Sequence, residues 1–225
     1  MKHGCLDRSR ILSVLVCVHL WLFFPAANAA PDSKTELPPD AQKAANEGVR
    51  AFAKGELEPA RKNFQKLLES APDNVFVLTN LGAAEYRLKK YDDAEKHLKR
   101  AVRLQPESAP AWLTLGALYC DQEKLDAALA ALSQAVLLDP KNARTHNYLG
   151  ITVGKKGWLS GAEAELQRAL ELEPDYAEAH FNLALFYLQR TPAAIELARR
   201  HYTRALELGA APDPLVEKSL SPEKK

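Results

Sequence analysis

The residues of this chain with the chemistry to act as ligands, acids or nucleophiles are its histidines, a few paired carboxylates and three cysteines. His146 and His180 stand 34 residues apart, in equivalent positions of a repeating pattern. Two imidazoles could share a metal ion. Neighbouring units of a helical stack, however, hold equivalent positions about 10 Å apart, one helix packing distance. That is too far for one ion, so both histidines read as packing residues. His97 and His201 lie among charges and read as surface residues. The pair Asp92-Asp93 stands where a helix would start, and acidic groups there favour the helix dipole rather than acid/base work. The chain carries no P-loop, no dinucleotide glycine fingerprint, no Gly-x-Ser-x-Gly, no His-Glu-x-x-His and no Cys-x-x-Cys. It therefore reads as a non-enzyme with no catalytic residue, cofactor or metal ligand.

The elements that position these side chains are marked by four prolines. Pro72, Pro106, Pro140 and Pro174 recur every 34 residues, and a fixed period of this length signals a repeat architecture. Aligned on it, the chain divides into segments 41–74, 75–108, 109–142, 143–176 and 177–212. Each holds two amphipathic stretches with a turn between them, at Lys54-Gly55, Lys89-Lys90, Glu123-Lys124 and Lys156-Gly157 in the first four. In the third segment Trp112, Leu115, Gly116 and Tyr119 share one helical face. Ala128, Leu132 and Ala135 recur at helical spacing on a second helix. Gly116 and Ala128 let the two backbones approach, and the larger side chains fill in around them. Pro140 ends the second helix, because proline disfavours helical geometry in the residue before it. One such hairpin cannot bury its apolar face alone and needs neighbours to stack on.

This pattern resembles the tetratricopeptide repeat. The third segment matches it nearly in full, through Trp112-x-x-Leu115-Gly116-x-x-Tyr119, Ala128, Leu132, Ala135 and Pro140. The first keeps Gly48, Gly55, Ala60, Phe64 and Pro72. The second keeps Leu81, Gly82, Ala94, Leu98, Ala101 and Pro106, with its tyrosine displaced to Tyr86. The fourth keeps Leu149, Gly150, Gly157, Ala162, Leu166, Ala169 and Pro174, with His146 where tryptophan is usual. In the fifth, Ala198, Tyr202 and Ala205 come two residues late, which lengthens the turn around Thr191-Pro192. The resemblance implies an all-α, right-handed superhelical solenoid of five hairpins over residues 41–212.

Residues 213–225 read as a short capping helix and tail: Asp213 caps, Pro214 takes the first position, and Leu215, Val216 and Leu220 form an apolar edge. At the other end, Lys2, Arg8 and Arg10 precede the mostly apolar run Ile11 to Phe24, followed by Pro25-Ala26-Ala27-Asn28-Ala29. This is the layout of a secretory leader over 1–29, cut after Ala29. The apolar run is short of the roughly 20 residues a membrane span needs, so membrane association is expected only if the leader stays uncut. Residues 30–40 read as a linker, with Asp40 as a helix cap. Localisation is then outside the cytoplasm, in the periplasm or cell envelope. Cutting removes Cys5 and Cys17 and leaves Cys120, either a core residue or a free thiol able to cross-link two chains. With 30 basic against 29 acidic residues and a formal charge of +1, there is no basic excess to bind nucleic acid.

Function then falls to the surface of the stack. The resemblance implies that the first helix of each hairpin lines a concave groove. Phe52, Phe76, Tyr86, Leu113, Ile151 and Phe181 stand at positions that would face it. They are expected to anchor an amphipathic helix or extended apolar peptide of a protein partner. The competing reading is that packing between successive first helices buries them. Some relatives hold a C-terminal carboxylate with a Lys/Asn/Arg clamp. Here only Asn80 fits, with Ala45, Val49, Pro110 and Thr114 in place of the other members, so that mode is not expected. The functional expectation is an interaction scaffold; the alternative is a self-assembling structural protein joined through its terminal repeat or Cys120.

Overall fold

The computed structural model describes Leu37 and residues 39–221. The leader expected over 1–29, most of the linker expected over 30–40 and the tail beyond Ser221 lie outside the described residues. Among the described residues there are eleven helices and no strands. They are α1 (Pro39–Ala53), α2 (Leu57–Ser70), α3 (Val75–Arg87), α4 (Tyr91–Leu104), α5 (Ala109–Asp121) and α6 (Leu125–Leu138). Then follow α7 (Ala143–Lys155), α8 (Leu159–Leu172), α9 (Ala177–Gln189), α10 (Ile195–Glu207) and the short α11 (Pro214–Leu220). The fold class is all-α, built of successive helix pairs as in a tetratricopeptide solenoid. Asp40 lies inside the first turn of α1, not before it.

Two compact units divide the chain. One holds the described residues up to Gln122 together with Ala130–Pro140; the other holds Glu123–Leu129 and the residues from Lys141 onward. In the first unit, Phe64 and Leu67 of α2 pack with Ala45 and Phe52 of α1 and with Val77, Leu81 and Ala84 of α3. A second cluster joins Val75 and Leu78 of α3 to Ala101 of α4 and Ala111 of α5. Glycine sets the closeness of the pairs. A Cβ on Gly116 would lie 2.6 Å from the Leu132 Cγ, and one on Gly82 would lie 2.6 Å from the Leu98 Cγ. In the second unit Leu149 of α7, Leu166 of α8, Leu183 and Phe186 of α9 and Tyr202 of α10 are buried.

The turns inside the hairpins share one backbone solution. Gly55, Lys89, Glu123 and Gly157, spaced by the repeat period, all have positive φ. Around them the chain closes as a C-capping motif: Lys90 N–H donates to the Glu85 carbonyl at 2.8 Å and Trp158 N–H to the Val153 carbonyl at 3.0 Å. Between hairpins, asparagines cap the incoming helices. The Asn74 side chain accepts from Val77 N–H at 3.0 Å, and that of Asn142 from Thr145 N–H at 3.1 Å. In the fifth hairpin residues 190–194 form a longer turn, in which Ala194 N–H reaches back to the Tyr187 carbonyl.

Candidate docking faces on the first helices

From the second pair on, the first helix differs from the second in what it buries. On α4 only Ala94, Leu98 and Ala101 are buried, a single stripe. On α3 every residue from Val77 to Tyr86 is buried, and on α5 every residue from Leu113 to Cys120. A helix apolar all round belongs in an interior. The residues expected to face the groove share that fate. Phe52, Tyr86, Leu113, Ile151 and Phe181 are only 2–6 % exposed, while Phe76 is half-buried. The expectation that all six stand open as anchors does not match this burial.

Where contacts are resolved, these side chains serve the stack. Phe52 sits in the α1–α2–α3 cluster, with the Arg87 guanidinium 5.1 Å from its ring centre. The Tyr86 hydroxyl donates to Asp121 Oδ2 at 2.7 Å, tying α3 to α5. The Phe181 ring lies 6.0 Å from that of Tyr202, tying α9 to α10. In the second unit Asn182 Nδ2 donates to Asn147 Oδ1 at 3.0 Å, and Asn147 Nδ2 lies 3.5 Å from the Tyr176 hydroxyl. Burial pushes the Tyr176 phenol and the Glu178 carboxyl above their ordinary values. Cys120 is buried on α5.

Polar atoms short of a partner have their own distribution. Among the described residues three buried side-chain atoms lack a hydrogen bond: Thr79 Oγ1, Gln122 Oε1 and Gln189 Nε2. Thr79 lies on α3, Gln189 ends α9, and Gln122 is the residue that closes α5. All three belong to first helices or their ends and none to a second helix. Folding leaves few such groups without compensation.

The histidines are less superficial than the sequence suggests. His97, expected at the surface, is half-buried with Nδ1 2.7 Å from Oε2 of the buried Glu85. His146 makes a contact of the reverse sense, from a first helix to Glu165 on the second, at 2.7 Å. His201, also expected at the surface, is half-buried against His180. These partners come from other helices, and no local sequence pattern announces them. Among the described residues no group of three His, Cys, Asp or Glu side chains is arranged to hold a metal ion. Nor is any helix there long and apolar enough to cross a membrane.

Comparison with known proteins places these features. A family model described as the tetratricopeptide repeat protein 21 C-terminal ARM domain matches residues 39–202. Among solved structures, TTC0263, a thermophilic TPR protein of Thermus thermophilus, is 26% identical. It has a TM-score of 0.68 and covers 80% of this chain and 98% of its own. A crystal structure of MamA is 26% identical, with a TM-score of 0.59, covering 72% of this chain and 93% of its own. MamA from Desulfovibrio magneticus RS-1 is similar in fold, at 22% identity and a TM-score of 0.62 over 77% of this chain and 97% of its own. None of the curated proteins matches this chain.

Proposed function

This chain belongs to the family of the tetratricopeptide repeat protein 21 C-terminal ARM domain, and from that premise we propose that it is a non-enzymatic interaction scaffold of the cell envelope. Its helical-repeat relatives support a protein-interaction scaffold in general. The finer reading is that the first helices receive a peptide or helix of a partner protein. The observation that carries it is the placing of Thr79 Oγ1, Gln122 Oε1 and Gln189 Nε2, buried and unbonded, on first helices or their ends. An incoming backbone supplies both donors and acceptors; with a small shift of the helices that cover these atoms, it would complete Thr79 and Gln122 in one unit, and separately Gln189 in the other. Apolar contact would come from Phe76, which is half-buried. The more deeply buried Phe52, Tyr86 and Leu113 would shape the floor in the first unit, and Ile151 and Phe181 in the second. The leader read from Lys2 to Ala29 supports export.

The test is a cross-linking capture from the native envelope fraction, comparing the wild type with Thr79→Val. The substitution keeps the shape and removes the unbonded hydroxyl, so stability should stay level or rise. A partner held by the wild type and lost by this equally stable variant supports the reading. Equal capture overturns binding on the first helices. The mass of the captured chain reports the leader: a chain beginning at Ala30 supports export, and a full-length chain in the cytoplasmic fraction overturns it.

Exposed Leu197 on α10 and Leu215 on α11 favour a second reading, self-association through the terminal repeat. Concentration-dependent sedimentation under reducing conditions separates the two. A monomer removes self-association, and a dimer that loses affinity with Leu197→Glu replaces the first reading.

A further inference from the structure

His180 of α9 and His201 of α10 face each other through Nδ1 atoms 2.9 Å apart. His180 Nε2 lies 3.0 Å from the Pro174 carbonyl. A carbonyl only accepts, so this nitrogen carries a proton. In the neutral ring Nδ1 is then a bare lone pair. His201 Nδ1 must supply the hydrogen between the rings. The contact itself therefore holds one proton, and a further proton has two places to go: His201 Nε2, where burial and the Arg200 charge oppose it, or His180 Nδ1. Protonating His180 at Nδ1 would set N–H against N–H at hydrogen-bond distance.

The neighbouring carboxylates favour a proton on the rings but are outweighed by burial. On the His180 side stand Asp175, from the turn before α9, and Arg204 of α10. These two already pair with each other at 2.5 Å. On the His201 side stand Arg200 of its own helix, Tyr187 of α9 and Glu163 of α8. The Glu163 carboxylate accepts from the Tyr187 hydroxyl at 2.8 Å and is paired with Arg190. Both carboxylates are thus shared with other partners, and the Arg204 and Arg200 guanidinium groups oppose them. Burial holds both imidazoles below their ordinary value, and His201 falls to about 4 through burial, the His180 charge and Arg200. The fourth hairpin makes the opposite choice at the same register: His146 faces a carboxylate, that of Glu165, at 2.7 Å.

We propose that the His180–His201 pair is an acid-sensitive latch, which keeps the last hairpin closed at neutral pH and loosens α10 and α11 when a second proton enters. The cap follows α10 because its fastenings are on that helix. Arg199 donates to the Leu220 carbonyl at 2.7 Å, and the Tyr202 hydroxyl accepts from Asp213 N–H at 2.7 Å. The direction is fixed by linkage. A histidine that resists protonation when folded leaves stability unchanged above its ordinary value, near 6.5. Stability is then lost as pH falls from there toward about 4.

Amide hydrogen exchange on the full chain, corrected for intrinsic rates, tests this between pH 7 and 4.5. The opening equilibrium of α9–α11 should rise roughly tenfold to a hundredfold, after allowance for the half-exposed setting of both rings. α7 and α8 should keep their protection. In His201→Glu, which copies the fourth hairpin, the acid response should disappear. The latch is overturned if that variant opens as the wild type does. It is also overturned, independently of any variant, if both imidazoles titrate near 6.5 by NMR while α9–α11 stay protected.

Discussion

Lys89 shows how much of this molecule is decided by single backbone angles. Its φ is 60°, in the left-handed region, at the register where Gly55 and Gly157 stand in other hairpins with φ of 77° and 86°. A side chain there meets its own carbonyl, and glycine does not. Lys89 is exposed, so glycine removes no core packing. Lys89→Gly is expected to stabilise the fold by about 0.5–1 kcal/mol, the strain relieved less the entropy glycine adds to the unfolded chain. Urea unfolding reads the gain, and a lower midpoint would mean that Lys89 side-chain contacts outweigh the strain. At this scale the sequence was legible where a residue's reason is local. Gly55 and Gly157 advertise turns by type, and Gly116 opposite Leu132 advertises a close approach. Glu85 behind His97 and His180 beside His201 were not legible, because each pair joins two helices and neither residue type implies the other.

At the scale of elements, hydrophobic period and proline spacing told helix from turn. Pro72, Pro106, Pro140 and Pro174 each stand just past a second helix. What the pattern could not tell was how much surface the stack would consume. On α3 and α5 groove positions and core positions are both apolar, and apolar type alone does not separate a binding face from a buried one. That is why Tyr86 and Leu113 read as anchors and are found buried. The last element is the most exposed to testing. α11 has seven residues and cannot hold helical form by propensity. Its start depends on the Asp213 carboxylate, which accepts from Leu215 N–H at 2.8 Å and Val216 N–H at 3.1 Å. Asp213→Ala should cost about 1 kcal/mol of local stability. Limited proteolysis within 214–220 should then run roughly fivefold faster. Unchanged cleavage would show that Val216 and Leu220, both buried, hold the cap without it.

At the scale of the whole molecule, a repeat array differs from a globule in how far damage spreads. Each hairpin is stabilised by itself and its neighbours, so a defect is felt nearby first. Gly154 of α7 offers a defect of known place. A Cβ there would lie 2.1 Å from the Phe186 Cζ of α9 and 3.1 Å from the Ala162 Cβ of α8. Phe186 is buried, so its ring can make room only by disturbing its own packing. Gly154→Ala should therefore destabilise by about 1–3 kcal/mol despite the better helix propensity of alanine. Hydrogen exchange should report the loss in α7–α10, while α1–α4, which belong to the other compact unit, keep wild-type protection. An equal loss throughout would mean that the chain opens as one cooperative body. In that case the acid response of the last hairpin could not stay local either, and lowering the pH would loosen α1–α4 together with α9–α11.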